Sequence, residues 1–231
     1  AIEGAKVMGF VGLNLTVPHK LLAVEMMDEL DASAKTWGAV NTIKFEHGRA
    51  IGFNTDADGL ARSLREDLQV DLSGAKVLLL GAGGAGRTAA LKLAAESVGE
   101  LFLVNRTASK AEEIAAEIKK QFPSVKVSIG YPKAGVDLVL NATSLGLDPL
   151  DGALPFDPRE FSFGQARLAY DMIYKPAETN FLRAARVAGC KTANGIGMLV
   201  GQGAKAFEIW TGQAAPATVM RRAAEGSVYG V

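Results

Sequence analysis

Three glycines in the middle of the chain have a spacing that suits phosphate binding. Gly81, Gly83 and Gly86 follow an apolar run, 77–80, and helix-forming residues continue over 87–95. An apolar run without polar alternation is typical of a parallel strand buried on both faces. In the pattern G-x-G-x-x-G, the glycines permit a sharp turn, close approach of a pyrophosphate and close helix–sheet packing. Because a helix N-terminus also attracts anions, the stretch predicts a dinucleotide site.

The residues after the next apolar run, 101–104, indicate which dinucleotide. An NAD-binding fold places Asp or Glu there, on the ribose 2′-hydroxyl. This chain has Asn105, Arg106 and Thr107, with Lys110 close behind. These side chains can donate hydrogen bonds or positive charge to a 2′-phosphate, which a carboxylate would repel. The sequence therefore favours NADP over NAD.

A purely local interpretation of the same residues stays open beside this one. Thr107 or Ser109 fits the N-cap of the helix predicted over 110–120, with Ser109 and Glu112 as a capping box. A residue at a helix cap can also contact a phosphate, so the two interpretations are compatible.

Polar side chains cluster at the end of an earlier strand, predicted over 13–17. Asn14, Thr16, His19 and Lys20 lie in or just after it. Ligands of open α/β sheets bind outside the carboxyl ends of strands, so these residues are candidates for a binding site. Capping of a helix over 21–30 by Thr16 or His19 explains the pattern equally well.

Two further stretches carry polar groups that need partners or ligands. Asn41 and Thr42 fall within a short apolar strand predicted over 39–43 and must be hydrogen-bonded if buried. The stretch 54–59 resembles the start of a calcium loop, but Arg65 stands where the bidentate Glu should be, so calcium is rejected. Asp56 or Asp58 instead fits the N-cap carboxylate of a helix predicted over 60–68.

Composition sets broad limits on function. The 231 residues are 48% apolar, and 25 basic residues balance 25 acidic ones, so nothing favours nucleic acid or an acidic membrane surface. The single cysteine, Cys190, excludes an internal disulfide and a Cys-based zinc site. The sequence has no run of 18 apolar residues and no signal pattern, so we expect no membrane span and a cytoplasmic enzyme.

Strands and helices alternate along most of the chain, which predicts an α/β fold with a doubly wound parallel sheet. Five stretches, taken together, resemble the shikimate dehydrogenase family: 14–20 (NLTVPHK), 38–42 (GAVNT), 54–56 (NTD), 141–144 (NATS) and 170–176 (YDMIYKP), the last followed by 197–202 and 210–212. The resemblance implies reversible NADP-dependent reduction of 3-dehydroshikimate to shikimate in aromatic amino-acid biosynthesis.

The resemblance also implies an architecture and a set of site residues. A Rossmann-type NADP domain, 59–197, is expected beside a smaller α/β substrate domain made of 1–58 and 198–231. Lys20 and Asp56 resemble the family's catalytic pair, and no metal is expected. Substrate contacts are expected from Thr16, Asn41, Asp56, Tyr174 and Gln202. Cofactor contacts are expected from Gly81, Ala82, Gly83, Gly84, Ala85, Asn105, Arg106, Thr107, Lys110, Thr143, Met172 and Gly195.

Three questions stay open at this stage. Members of the family usually open with a strand–helix–strand unit that carries a Ser-x-Ser pair for the substrate carboxylate, and we expect this unit to be missing before Ala1. The pair helps to separate shikimate from quinate, so a quinate/shikimate dehydrogenase using NAD is one alternative, although 105–107 argues against it. A catalytically silent NADP-binding fragment is another, and intact Lys20 and Asp56 argue against that. A homodimer is also left open.

Overall fold

The chain builds two separate sheets, and helices connect their strands. The computed structural model describes residues 1–148 and 152–230. The helices are α1 (Ile2–Val7), α2 (His19–Leu22), α3 (Ala32–Trp37), α4 (Asp56–Leu68), α5 (Gly84–Ala95), α6 (Ala108–Gln121), α7 (Asn180–Val187), α8 (Ile196–Thr211) and α9 (Ala217–Tyr229). The strands are β1 (Gly12–Asn14), β2 (Glu29–Leu30), β3 (Thr42–Glu46), β4 (Arg49–Phe53), β5 (Lys76–Leu80), β6 (Glu100–Val104), β7 (Lys126–Ile129), β8 (Val136–Asn141), β9 (Ala166–Asp171) and β10 (Lys191–Asn194).

The larger sheet has the strand order β10-β9-β8-β5-β6-β7, and its strand pairs are parallel. Residues 77–80 in the central strand β5 are fully buried, as their unbroken apolar run predicts. One face carries a core with side chains from α4, α5 and α6, and the other a core that includes Phe161, Phe163 and Phe181. The prediction of a Rossmann-type doubly wound parallel sheet is therefore confirmed.

The smaller sheet has the order β1-β3-β4-β2 and gathers polar residues at one edge. Its register pairs Asn14 with Thr42, and Thr42 with Phe53. Because β1 and β4 both run antiparallel to β3, their ends meet its beginning. The polar side chains that follow or precede these strands consequently lie close together, although they are far apart in the sequence.

Helix α4 joins the two sheets, and helix α8, which follows β10, packs tightly against it. A Cβ on Gly59 would lie 2.8 Å from both the Gln202 backbone nitrogen and the Met198 carbonyl oxygen, so the contact requires glycine. The domain boundaries predicted at 58/59 and 197/198 fall inside these two helices. The last residue of the predicted substrate domain, 231, lies outside the described residues. In the described parts of the chain, no helix is long and apolar enough to cross a membrane.

The prediction of a helix over 21–30 is wrong. The chain forms the short helix α2, then a 3-10 turn over 23–26, and then strand β2. Glu29 and Leu30 pair in parallel with Ile51 and Gly52 of β4, so tertiary pairing overrides the local helix preference. The strand predicted over 13–17 also ends earlier, at Asn14, and the strand predicted over 39–43 begins later, at Thr42.

Candidate active site

A lysine and an aspartate from two different elements meet at the polar edge of the smaller sheet. Lys20 Nζ lies 2.7 Å from Asp56 Oδ2, and the two residues are 36 positions apart. The Lys20 carbonyl accepts a hydrogen bond from the Val40 backbone nitrogen at 2.9 Å, which ties α2 to the chain segment before β3. The Lys20 side chain is 27% exposed and that of Asp56 16%, so the pair is partly open to solvent.

Asn41 orients the aspartate. Its Nδ2 donates to Asp56 Oδ1 at 2.9 Å and to Thr55 Oγ1 at 3.0 Å. Its Oδ1 accepts from the Thr55 backbone nitrogen at 2.8 Å and from Thr42 Oγ1 at 3.0 Å. Asn41 and Thr42 are both buried, and both have the partners that burial demands. Because a backbone N–H must donate to an oxygen, these contacts determine which way the Asn41 amide points.

Helix α8 brings a fourth polar side chain to the site. Gln202 Oε1 lies 3.5 Å from Asn41 Nδ2, across 161 positions of sequence. Gln202 also donates from Nε2 to the Leu199 carbonyl at 3.0 Å, which restrains its side chain on the helix. The structure thus brings together Lys20, Asn41, Asp56 and Gln202.

Thr16 and Tyr174 stand apart from this network. Thr16 is exposed to solvent, and Tyr174 is 38% exposed. In the described residues, neither side chain hydrogen-bonds to the Lys20–Asp56 pair. Thr16 and His19 do not cap α2 either, because its N-cap is Pro18 and no side chain makes a capping bond there.

Residue 56 is part of a helix and not of a calcium-type loop. The prediction that Asp56 or Asp58 is the N-cap of this helix is wrong, because α4 begins at Asp56 and its N-cap is Thr55. The Asp56 carboxylate lies in the first turn, where the helix dipole favours negative charge. Asp58 accepts a hydrogen bond from Lys92 at 2.9 Å. No group of three His, Cys, Asp or Glu side chains in residues 1–148 and 152–230 is placed to hold a metal ion.

The glycine turn has the geometry that its spacing predicts. Gly81 has a backbone φ of +105°, an angle that residues with a side chain rarely adopt. A Cβ on Gly86 would lie 2.1 Å from the Gly81 carbonyl oxygen, so the first turn of α5 packs directly on the end of β5. A Cβ on Gly83 or Gly84 would meet nothing within 4 Å. The backbone at these two positions is therefore open to a ligand at the start of α5, next to exposed Ala85.

Asn105 braces the turn. Its Oδ1 accepts from the Ala82 nitrogen at 3.0 Å, and its Nδ2 donates to the Thr107 carbonyl at 2.8 Å. The capping alternative is right in position, because Thr107 is the N-cap of α6, which begins at Ala108. The Thr107 side chain makes no capping bond, however, and Ser109 lies inside the helix.

Two cationic side chains lie next to Asn105 without protein partners in the described residues. Arg106 and Lys110 are exposed, and in the described part of the chain their side chains make no hydrogen bond or ion pair. Lys110 lines a cleft of about 310 Å³ together with residues of the glycine turn, 82–84. A bound anion at this cleft would meet both open backbone and uncommitted positive charge.

The other predicted cofactor residues lie where β8, β9 and β10 end. A Cβ on Gly195 would lie 2.1 Å from the Met172 carbonyl oxygen, so the two backbones touch. Thr143 Oγ1 donates to Asn141 Oδ1 at 2.8 Å, and its Cγ2 lies 3.0 Å from the position of a Cβ on Gly81.

Sequence reasoning missed a buried carboxyl group beside these residues. Asp171 is fully buried and accepts hydrogen bonds from Asn141 Nδ2 at 3.0 Å, the Ile173 nitrogen at 3.1 Å and Thr179 Oγ1 at 2.6 Å. Burial raises the pKa of Asp171 to about 6, against the effect of these three donors. An acidic residue at the end of a buried strand is the signal that could have identified it.

Together, the parallel sheet with its glycine turn and the lysine–aspartate pair at the edge of a second sheet are the features of a nucleotide-dependent dehydrogenase. Three family models match the chain: the shikimate dehydrogenase substrate binding domain over residues 1–43, shikimate / quinate 5-dehydrogenase over 62–144, and the shikimate 5'-dehydrogenase C-terminal domain over 195–225. The chain belongs to the shikimate dehydrogenase family, as its motifs predict.

Individual relatives are similar to this chain over most of its length. A shikimate dehydrogenase (NADP(+)) of Methanopyrus kandleri is 41% identical over 230 residues, which cover 96% of this chain and 79% of the relative. The crystal structure of a shikimate dehydrogenase in complex with NADP+ is 39% identical, with a TM-score of 0.88 over 99% of this chain and 80% of that one. A 5-ketofructose reductase of Gluconobacter sp. strain CHM43 is 36% identical, with a TM-score of 0.86 over 98% of this chain and 82% of that one.

Proposed function

We propose that the chain catalyses the reversible, NADPH-dependent reduction of 3-dehydroshikimate to shikimate, a step of aromatic amino-acid biosynthesis. The observation that carries the proposal is the Lys20–Asp56 pair at 2.7 Å, which Asn41 orients beside Gln202. Membership of the shikimate dehydrogenase family supports the choice of substrate.

The residues around the glycine turn fit NADP. Open backbone at Gly83 and Gly84 suits a pyrophosphate, and the exposed cations Arg106 and Lys110 suit a 2′-phosphate. Thr107 provides a hydroxyl at the same place. The contacts expected at Ala82, Ala85, Asn105, Thr143, Met172 and Gly195 complete the set. When bound, NADPH supplies the hydride.

Lys20 is the proton donor in this proposal. Reduction of a ketone builds negative charge on its oxygen, and a nearby ammonium group stabilises that charge and gives up a proton. Asp56 holds the ammonium in position with one oxygen and accepts a hydrogen bond from a hydroxyl of the substrate. Asn41 and Gln202, which lie side by side in the substrate domain, orient the substrate, and Thr16 and Tyr174 are further substrate contacts.

The groove between two domains is the proposed location of this chemistry. Residues 1–58 and 198–231 form the substrate domain, and 59–197 form the nucleotide domain. Helices α4 and α8, which carry Asp56 and Gln202, connect the two. A homodimer stays a prediction, which sedimentation of the purified chain would test.

Activity assays separate this function from its alternatives. NADPH formation should be fast with shikimate and NADP+, and slow with quinate and NAD+. The reverse pattern would favour a quinate/shikimate dehydrogenase, and activity on 5-ketofructose but not on 3-dehydroshikimate would favour a different ketone substrate. Binding of NADP+ without turnover of any of these compounds would favour a silent nucleotide-binding protein.

A further inference from the structure

Arg87 connects the nucleotide-binding turn to the other domain. It directly follows Gly86 in the first turn of α5, and its Nη1 donates to the Trp37 carbonyl oxygen at 2.7 Å. Trp37 is the last residue of α3, which connects two strands of the smaller sheet. This hydrogen bond therefore joins the two domains directly, beside the cleft that Arg87 itself lines.

The guanidinium is anchored on the nucleotide side by a carboxylate. Arg87 Nε donates to Glu117 Oε2 at 3.0 Å, and Nη2 donates to Glu117 Oε1 at 2.6 Å. This paired contact fixes the plane of the guanidinium and leaves Nη1 aimed at the Trp37 carbonyl. A lysine could not form three bonds of this fixed geometry, because its ammonium is a single point charge.

The Trp37 side chain strengthens the same joint. It is only 7% exposed, and it packs in the core cluster of the nucleotide domain, with Leu60 and Ala82 among its members. Trp37 thus gives its ring and its carbonyl group to the opposite domain. Gly38 ends the helix in a left-handed conformation, and three residues later the chain reaches Asn41.

We infer that Arg87 is a positioning residue that sets the separation between the cofactor turn and the substrate pocket. The connection runs from Gly86 through Arg87 and Trp37 to Asn41, which orients Asp56. Hydride transfer needs donor and acceptor in near-contact geometry, and an error of about 1 Å can slow a reaction by about 100-fold. This inference rests on the proposed function.

The variants Arg87→Ala and Arg87→Lys test the inference, with Arg186→Ala as the matched control. Arg186 forms an exposed ion pair with Glu178 within one domain. We expect both Arg87 variants to lower kcat, by about 10- to 100-fold for alanine, with KM for NADPH within about threefold of the parent. The isotope effect with deuterated NADPH should rise, because a misplaced hydride makes the chemical step limiting. Arg186→Ala should leave kcat, KM for NADPH and the isotope effect unchanged.

A fluorescence measurement tests the joint without any ligand. The chain has two tryptophans, so Trp210→Phe leaves Trp37 as the only one. In that background, Arg87→Ala should make Trp37 clearly more accessible to acrylamide quenching, and Arg87→Lys should do so to a smaller extent. If the alanine variant does not fold, the lysine variant carries the test.

Two outcomes would overturn the inference. A KM for NADPH raised tenfold or more at an unchanged kcat would make Arg87 a cofactor ligand instead. Unchanged quenching together with unchanged kcat would show that the joint does not depend on it. If the parent chain fails to reduce 3-dehydroshikimate, the proposed function fails, while the quenching experiment still decides whether Arg87 holds Trp37.

Discussion

Asn41 and Lys20 hold opposite oxygens of one carboxylate. Asn41 Nδ2 donates to Asp56 Oδ1 at 2.9 Å, and Lys20 Nζ donates to Asp56 Oδ2 at 2.7 Å. The aspartate is therefore oriented independently of the lysine, because the Asn41 amide is itself held by the Thr55 backbone nitrogen. Removal of Lys20 should accordingly remove the proposed proton donor and leave the hydrogen bonds of Asp56 with Asn41 in place.

The variant Lys20→Ala should lower kcat by about 10²–10⁴, the usual contribution of a positioned proton donor. NADP+ binding, measured by titration, should stay unchanged, because Lys20 contacts the substrate and not the cofactor in the proposed mechanism. Lys35→Ala, at an exposed position on α3, is the control and should retain parental activity. A Lys20→Ala enzyme with near-normal kcat would exclude Lys20 from the mechanism.

A double-mutant cycle should show that Lys20 and Asp56 act as a unit. Asp56→Asn keeps an oxygen that can accept from Asn41 but loses the charge that holds the ammonium. The double variant should lose less kcat than the product of the two single losses, since either change alone disables the pair. Strictly multiplicative losses would mean that the 2.7 Å contact has no role in catalysis.

The preference for NADP should depend on Arg106. Its replacement by Ala should weaken NADP+ binding by about 1.5–3 kcal/mol, the scale of a hydrogen bond to a charged group, and leave NAD+ nearly unchanged. Calorimetric titration with both cofactors measures the difference. Equal losses for the two would show that Arg106 does not contact the 2′-phosphate.

Asp171 should make stability depend on pH. Burial raises its folded-state pKa to about 6, above the unfolded value of about 3.9. The unfolded chain therefore releases this proton first as pH rises, so the contribution of Asp171 to stability is present below about pH 4 and is lost as pH rises through about 6. The loss is of the order of 2–3 kcal/mol.

The variant Asp171→Asn should abolish this dependence. Its free energy of unfolding, relative to the parent chain, should improve between about pH 4 and pH 7 by roughly the amount that the parent loses. Asp137→Asn, at a carboxylate that is 36% exposed, serves as the control in the same urea titrations. A constant difference across this range would show that the Asp171 carboxyl group titrates normally.

Two glycines on the connecting helices should respond oppositely to alanine. A Cβ on Gly59 would lie 2.8 Å from the Gln202 nitrogen, so Gly59→Ala should cost about 1–3 kcal/mol of stability and raise KM for shikimate by displacing Gln202. A Cβ on Gly203 would meet only the Met220 methyl carbon, at 3.6 Å, so Gly203→Ala should be neutral or stabilising by about 0.5–1 kcal/mol. Thermal unfolding and shikimate kinetics of both variants check this; similar effects would contradict the tight packing of α4 on α8.

Local patterns in the sequence were enough to determine the nucleotide half of the molecule. The glycine turn, the buried strand before it and residues 105–107 after the next strand are read from neighbouring residues, because a βαβ unit is built within a short stretch of chain. The family, and with it the expected roles of Lys20 and Asp56, followed from motifs spread along the chain.

Only the tertiary structure decided how the distant polar residues meet. Lys20 contacts Asp56 because antiparallel pairing in the smaller sheet brings the ends of β1, β3 and β4 together. The same long-range pairing turned residues 29–30 into a strand where local preference predicted a helix. The contact of Arg87 with Trp37 and the burial of Asp171 also depend on elements that are remote in the sequence. Local patterns determine which elements form, but contacts between distant elements depend on how those elements pack.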